Sequence, residues 1–337
     1  MKILLCSVPF SPSVGGIETV SAILAERFQE LGHRVTVITQ TPALERDAAP
    51  FTVVRRPPMW ALLKWVRWAD VVVHNNVSLR LAWPLLLLRR PWVVAHHMWT
   101  PRAGRGAFVG RLKHWACRFA TNIAVSRAMA ASLRGPAAVI PNPYAEDVFR
   151  GLPSVRRDRD AVFLGRLDRT KGAALVLEAL AQLGSRGRHV RLTVVGTGPE
   201  EPALRHQAEV LGLGSQVEFV GVRRGAELVT LLNEHRLIVI PSLWEEPFGV
   251  VALEGLACGC VPVAARSGGL PDAVGACGLI VPKNDAAALA AGMERLLVDG
   301  AARGELLRQA PPHLAQHTPD RIAKRYLSVI EDAYRFA

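Results

Sequence analysis

The chain has 337 residues, half of them apolar and 28 of them glycine, which suits two α/β cores and excludes a disordered or fibrous protein. No run reaches the ~18–20 apolar residues of a membrane span; the nearest, residues 81–88, contains Pro84 and is closed by Arg89 and Arg90. The net charge of +12 sits in the first half: residues 1–150 hold 19 Lys/Arg against 8 Asp/Glu, residues 151–337 hold 22 against 21, and so the first half is expected to meet something anionic, whether nucleic acid, acidic lipid or an anionic substrate.

In chain order, residues 2–8 read as a first strand; the apolar run there is too short for a signal peptide. A loop over 9–16 leads to an amphipathic helix over 17–31, where Ile17, Val20, Ile23, Leu24 and Phe28 recur at helical spacing before Gly32. Strands are predicted over 34–39, 51–55, 70–74 and 92–95, with a helix over 79–88. A helix over 107–119, a strand over 122–126, a short helix over 127–133 and a strand over 138–140 complete the first half. Residues 151–160, with Pro153 and several charges, form the expected linker. The alternation restarts with strands over 161–165, 191–196, 217–220, 237–241, 261–265 and 279–281. Helices are expected over 172–183, 201–211, 226–234 and 286–298, and a last one over 319–336. Such βα alternation implies two mostly parallel sheets covered on both faces. The five cysteines, Cys6, Cys117, Cys258, Cys260 and Cys277, are odd in number and contain no Cys-x-x-Cys, so neither a disulfide framework nor a zinc site is expected and a reducing cytoplasm is the default.

The most informative stretch is 241–254, Pro-Ser-Leu-Trp-Glu-Glu-Pro-Phe-Gly-Val-Val-Ala-Leu-Glu. Glu246 and Glu254 stand eight positions apart, and Pro247, Phe248 and Gly249 are expected to open a helix between them. The two carboxylates could accept hydroxyl protons from one elongated ligand; an ordinary helix with an acidic first turn has the same pattern. Gly15-Gly16 opens the first helix after the first strand, as a phosphate cradle or as a plain loop. Gly196-Thr197-Gly198 reads as a tight turn, since Glu201 stands where a dinucleotide fingerprint needs its third glycine. Arg166 leaves one strand end and Lys171 stands before the next helix, a pair that either clamps a diphosphate or forms a solvated basic loop. His96 and His97 end the strand over 92–95, where a histidine can meet a sugar hydroxyl or be structural. No cluster has metal-ligand spacing, so Lys and Arg rather than a divalent ion are expected to carry phosphate charge.

Together these residues resemble the retaining GT-B glycosyltransferases of the group 1 family. The pieces are Gly15-Gly16-Ile17-Glu18, His97, Pro141-Asn142-Pro143, Gly165-Arg166 with Lys171-Gly172, Gly196-Thr197-Gly198-Pro199, Glu246 through Glu254, and Ser267-Gly268-Gly269-Leu270-Pro271. The resemblance implies two facing Rossmann-like domains with parallel sheets and an interdomain cleft. The acceptor domain would be 1–152 and the nucleotide-sugar donor domain 160–318, with a helix over 319–337 packing back on the first. It implies transfer of a sugar from a nucleotide-diphosphate sugar to a glycan or lipid-linked acceptor, without cofactor or metal. Gly15 and Gly16 would approach the donor, His97 the transferred sugar, and Arg166 and Lys171 the diphosphate. Glu246, helped by Phe248 and Gly249, would bind sugar hydroxyls, and Glu254 the ribose. A nucleotide-sugar epimerase of the same shape, and a basic nucleic-acid-binding protein, are the alternatives; no recognised nucleic-acid module is present, so nucleic acid is not the expected partner.

Seven of the eight tryptophans lie in the first half, interleaved with cations that include Arg55, Arg56, Lys64, Arg67, Arg102 and Arg105. Residues 60–68 read either as an interfacial amphipathic segment, which would place the protein at the inner face of an anionic membrane, or as tryptophan-rich core.

Overall fold

The computed structural model describes residues 1–12, 15–42, 49–100 and 104–336. Arg102 and the side chain of Arg105 lie outside the described residues. The chain forms two compact units, one of residues 1–143 with 317–337 and one of residues 144–316.

The first unit runs β1 (Lys2–Ser7), α1 (Gly16–Glu30), β2 (Arg34–Thr39), β3 (Thr52–Arg55), α2 (Met59–Trp68), β4 (Val71–Asn75), α3 (Leu79–Ala82), β5 (Trp92–His96), α4 (Ala107–Ala116), β6 (Thr121–Ala124), α5 (Arg127–Ser132) and β7 (Ala137–Val139). Its strands are all parallel, in the order β3-β2-β1-β4-β5-β6-β7. Strands so placed are covered on both faces, which is why β1 and β4 read as unbroken apolar runs. On one face Ile3, Leu5, Val73 and Ala95 pack under Leu24 and Phe28 of α1; on the other Leu4, Cys6, Ile38 and Val72 pack with Leu62 and Val66 of α2.

The second unit runs β8 (Arg159–Leu164), α6 (Ala173–Ser185), β9 (Leu192–Val195), α7 (Glu201–Val210), β10 (Val217–Gly221), α8 (Gly225–Glu234), β11 (His235–Ile240), α9 (Val250–Ala257), β12 (Val261–Ala265), α10 (Leu270–Val274), β13 (Leu279–Val281), α11 (Ala286–Val298), α12 (Gly300–Arg308) and α13 (Ala310–Leu314). Its parallel sheet has the order β10-β9-β8-β11-β12-β13. Phe163, Val194, Val239 and Val263 pack there with Leu177 and Leu180 of α6 and Met293 of α11. In both sheets the strand order reverses beside the first strand of the unit, between β1 and β4 and between β8 and β11. At such a switch point the loops leaving the two strands part and open a crevice.

The last helix, α14 (Pro319–Arg335), belongs to the first unit. Thr318 caps it by accepting from the Arg321 N–H, and Ile322, Ala323, Tyr326 and Ile330 enter the core cluster that holds α1.

Four sequence expectations change. The first unit ends at Pro143 rather than near 152, because the following segment is tied to the second. Asn233, buried in α8, accepts from the Leu152 N–H at 2.7 Å and donates to the Arg150 carbonyl at 3.0 Å, while Arg157 donates to the Cys258 carbonyl at 2.6 Å. The helix expected over 79–88 shortens to α3 and continues as a 3-10 turn over Trp83–Leu86, where Pro84 lacks an N–H. Pro247 does not open a helix. Gly249, at φ 106° and ψ 60°, is the cap residue of α9, and this left-handed conformation separates residues 247–248 from the right-handed helix that starts at Val250. The φ favours glycine there, and an added Cβ would lie 2.4 Å from Leu270 Cδ2 and so push that side chain aside. Lastly, residues 60–68 do not turn their rings outward as a group. Trp65 and Trp68 pack against the core cluster beneath α2 and meet edge to face at 5.9 Å, which leaves Trp60, 73% exposed, as the outward ring.

Candidate active site

At the switch point of the second sheet, the loops leaving β8 and β11 meet through a charged pair. Lys171 ends a 3-10 turn, Arg169–Lys171, that Asp168 caps by accepting from the Thr170 N–H. Its Nζ donates to Glu246 Oε1 at 2.7 Å and lies 5.6 Å from the Trp244 ring centre. Ser242 Oγ donates to the same Oε1 at 2.8 Å. Glu246 is 7% exposed, so its charge is held by partners rather than by water. Both bonds fall on Oε1 and Oε2 takes neither.

The neighbouring loops brace this pair. The Leu243 N–H donates to the Thr170 carbonyl at 2.8 Å, and the Gly269 N–H to the Glu246 carbonyl at 2.7 Å. Gly268, at φ 51°, passes so close to that carbonyl that an added Cβ would sit 2.0 Å from its oxygen. Glu245 accepts from Lys283 at 2.5 Å and from the Gly268 N–H at 2.6 Å; the Lys283 bond is the chief reason its carboxyl sits below the usual range. The tight turn after β9 joins in: the Leu167 N–H donates to the Thr197 carbonyl, and the Glu200 N–H to the Leu167 carbonyl, each at 3.0 Å. The carboxyl edge of this sheet is therefore a set of interlocked loops with one cation and one carboxylate already paired in the crevice.

Two predicted residues stand apart from that pair. Arg166 is 73% exposed, with only a 3.8 Å approach to Asp168. Glu254 lies on α9. Part of its surface remains accessible, yet protein atoms enclose the carboxyl enough that burial pushes its pKa up to about 7.

The first unit carries a different kind of site. The Gly15 cap of α1 has no side chain to bond the helix N-terminus. Beneath it, fully buried, the Ser21 hydroxyl shares a hydrogen bond with Ser7 Oγ at 2.8 Å and accepts one from Asn75 Nδ2 at 2.8 Å. These three residues link α1 to the two strands of that sheet's switch point. His97 follows β5 and is 4% exposed, with neither ring nitrogen hydrogen-bonded. Burial, aided by the neighbouring His96, pushes its pKa down to about 4; the Asn142 side chain beside it works the other way. The ring is therefore neutral, one nitrogen a donor and the other an acceptor, with the Asn142 side chain as a polar neighbour that makes no well-formed bond to either. Asn76, in the left-handed region at φ 63°, holds the backbone here: its Oδ1 accepts from the His97 N–H at 2.7 Å and the Met98 N–H at 3.0 Å. His96 turns elsewhere. Its Nε2 is 2.8 Å from Asn122 Oδ1, and it lines a pocket of about 620 Å³ to which His97 does not contribute.

The sequence missed Ser242, Trp244, Asn76 and the Ser7–Ser21–Asn75 set. Ser242 stands four residues before Glu246 within the quoted stretch, and Asn75-Asn76 follows a strand. Those are the signals that could have found them. Among the described residues no three His, Cys, Asp or Glu side chains converge as metal ligands, and all five cysteines are free and buried.

Residues 146–311 match the family described as Glycosyl transferases group 1, and residues 14–147 match Glycosyltransferase Family 4. The chain belongs to the group 1 glycosyl transferases. It is 39% identical over 163 residues to a D-inositol 3-phosphate glycosyltransferase of Corynebacterium jeikeium, covering 46% of this chain and 39% of that protein. A protein of the same description from Salinispora tropica is 35% identical over 195 residues, 55% of this chain and 40% of the relative. The match thus spans about two fifths of those relatives' length. Among solved structures, Anabaena HepE in complex with UDP superposes with a TM-score of 0.85 at 23% identity, covering 98% of this chain and all of that one. AviGT4, a glycosyltransferase involved in avilamycin A biosynthesis, gives 0.71 at 25% identity, covering all of this chain and 98% of that one. The two parallel sheets are thus those of the GT-B fold seen in these glycosyltransferases.

Proposed function

We propose that the protein is a retaining glycosyltransferase that moves a sugar from a nucleotide-diphosphate sugar to a glycan or lipid-linked acceptor. The observation that carries this is the Lys171–Glu246–Ser242 constellation at the second sheet's switch point, in the loops where an α/β sheet receives a nucleotide. Uridine is the base to test first, because HepE is described in complex with UDP and UDP-glucose. Lys171 neutralises the diphosphate as the bond from its terminal oxygen to the anomeric carbon breaks, and Arg166, free to swing in from solvent, adds a second charge. Glu246 Oε2 accepts from sugar hydroxyls, and Glu254 from the ribose. His97 offers its neutral ring to the transferred sugar, and Gly16, where an added Cβ would meet nothing within 4 Å, lets the donor approach the α1 N-terminus beside Gly15 and the Glu18 carboxylate that lies against it. The acceptor oxygen bonds the anomeric carbon on the face the diphosphate leaves, and its proton passes to the departing phosphate oxygen. The cations and helix N–H groups carry the phosphate charge in this scheme without a resident metal or cofactor. The relatives named above are transferases, which favours transfer over epimerisation. No helix among the described residues is long and apolar enough to cross a membrane; we place the protein in the cytoplasm, at the membrane periphery.

Thermal-shift titration with UDP, GDP, ADP and their glucose esters tests this. A ligand at 100 times its Kd raises stability by ~2.7 kcal/mol. One nucleotide should stabilise the wild type and fail to stabilise Lys171→Ala. No shift with any nucleotide, together with no turnover of any nucleotide sugar, would sink the proposal.

A further inference from the structure

Helix α4 is built inside out. An amphipathic helix on a globular unit ordinarily turns its apolar stripe to the core. In α4 and the 3-10 turn Cys117–Phe119 that follows, Phe108, Leu112, Trp115 and Phe119 recur at steps of four, three and four residues, and so form a single stripe. That stripe faces solvent: Phe108 and Phe119 are each 70% exposed, Trp115 50% and Leu112 41%. The buried side of the element is formed by Gly110 and Cys117, and Cys117 packs with Val77 and Val94 of the sheet. Trp115 and Phe119 meet edge to face at 5.2 Å, so the outward surface is an organised aromatic ridge. Arg111 and Arg118, both exposed, border it on one side, while half-buried Lys113 falls on the Gly110–Cys117 side of the helix.

The charge of the surrounding chain points to the occupant. Between Asp70 and Glu146 there is no acidic residue, while the same stretch carries ten Lys or Arg. A second copy of the chain seated on this face would bring like charges together without neutralising them. An anionic lipid surface neutralises them and takes up the ring edges in one step, which is how interfacial helices bind. We infer that α4 and its 3-10 extension form the docking surface of this protein for an anionic bilayer, with Phe108, Leu112, Trp115 and Phe119 entering the headgroup region and Arg111 and Arg118 contacting lipid phosphates. The inference deepens the peripheral location proposed above. It moves the contact from residues 60–68, whose rings Trp65 and Trp68 serve the core, to a helix whose rings have no core to serve.

Flotation of the full chain with vesicles tests it in the absence of donor and acceptor, so its outcome stands apart from the transferase proposal. Phosphatidylcholine vesicles with one third phosphatidylglycerol should capture the protein at low salt, high salt should release it, and phosphatidylcholine alone should not retain it. The variant Phe108→Ser/Phe119→Ser changes two exposed side chains and should fold as the wild type does by circular dichroism and Tm, yet bind at least tenfold less. Arg111→Glu/Arg118→Glu should lose binding to the acidic vesicles as well. Trp60→Ser, an exposed ring on α2, should bind within twofold of wild type. Wild type that ignores acidic vesicles at low salt, or Phe108→Ser/Phe119→Ser that binds as wild type, would overturn the inference. So would light scattering that shows a wild-type dimer dispersed by Phe108→Ser/Phe119→Ser without any vesicle binding, since the occupant would then be a second copy.

Discussion

The two units share a strand order and differ in how finished their sites are. In the second, Lys171, Glu246 and Ser242 already satisfy one another, and the loops bearing them are laced by backbone hydrogen bonds. In the first, His97 is buried without a well-formed hydrogen bond on either ring nitrogen, the Gly15 cap brings no side chain of its own to the α1 N-terminus, and an aromatic ridge faces outward. One crevice is preorganised for a ligand of fixed chemistry; the other surface keeps its polar and apolar groups open for what it meets. The charge follows the same division, with a net of +11 over residues 1–150 against +1 over 151–337. Nucleotide diphosphates vary little while transferred sugars and acceptors vary widely, so rigidity around the Lys171–Glu246 pair and openness where sugar and acceptor are proposed to lie is the arrangement the proposed reaction favours.

The comparison breaks first at the paired charges. Lys171→Ala removes the cation proposed for the diphosphate and strands Glu246 with little water around it; kcat for donor turnover should fall by about 10³-fold, and Glu246→Gln on that background should add little, since the two act as one unit. Equal additive losses in the double variant would show that the pair is not a unit. Gly268→Ala comes next. Its φ of 51° and the Glu246 carbonyl beside it leave no room for a methyl group, and urea unfolding should register a loss of about 2–3 kcal/mol.

On the first unit, His97→Ala should lower kcat by about 10²-fold with a smaller effect on stability. Because burial holds the His97 pKa near 4, the wild-type pH–rate profile should show no ionisation of this ring between pH 6 and 8. Glu254→Gln tests burial against ligand. Its folded pKa of about 7 lies above the ordinary 4.5, so the folded state keeps a proton there that the unfolded chain has lost. Stability from this group is complete below about 4.5 and is lost as pH rises through 7; Glu254→Gln should therefore stabilise the free protein above pH 7, by up to about 3 kcal/mol. Nucleotide affinity of the wild type should rise with pH over the same window, because ribose hydroxyls favour the carboxylate, and Glu254→Gln should abolish that dependence. The smallest structural effect is expected at Gly16, where an added Cβ would meet nothing within 4 Å. Gly16→Ala should keep stability within about 0.5 kcal/mol while weakening donor binding tenfold or more. If instead it lowers stability well beyond that and leaves Kd unchanged, the first unit's opening is structural.

Much of the fold was legible before any coordinates. Strands buried on both faces must be apolar throughout, and helices half-covered by a sheet must repeat their apolar residues every three to four positions, so the βα alternation and its restart near residue 160 were written in the residue pattern. The candidate residues of each unit were legible as loops: Gly15-Gly16 and His97 in the first and Lys171 and Glu246 in the second each follow or precede a strand end, where an α/β sheet exposes backbone. Less legible was which of these groups pair. Lys171 and Glu246 are seventy-five positions apart, and nothing local in either segment names the other; only the reversal of strand order between β8 and β11 makes them neighbours.

Composition and periodicity by themselves determined two parallel-sheet units, a basic first half and a set of glycine-bearing loops at strand ends, because these depend on what each residue prefers along its own stretch of chain. Tertiary structure alone decided that residues 144–152 belong to the second unit, that α9 starts after Gly249, and that α4 turns a whole stripe of rings to solvent while α2 turns out Trp60 and packs Trp65 and Trp68 inward. A periodic apolar stripe declares that a helix has an oily side; whether that side is covered depends on what the neighbouring sheet offers it, and burial is a property of two surfaces, not of one sequence.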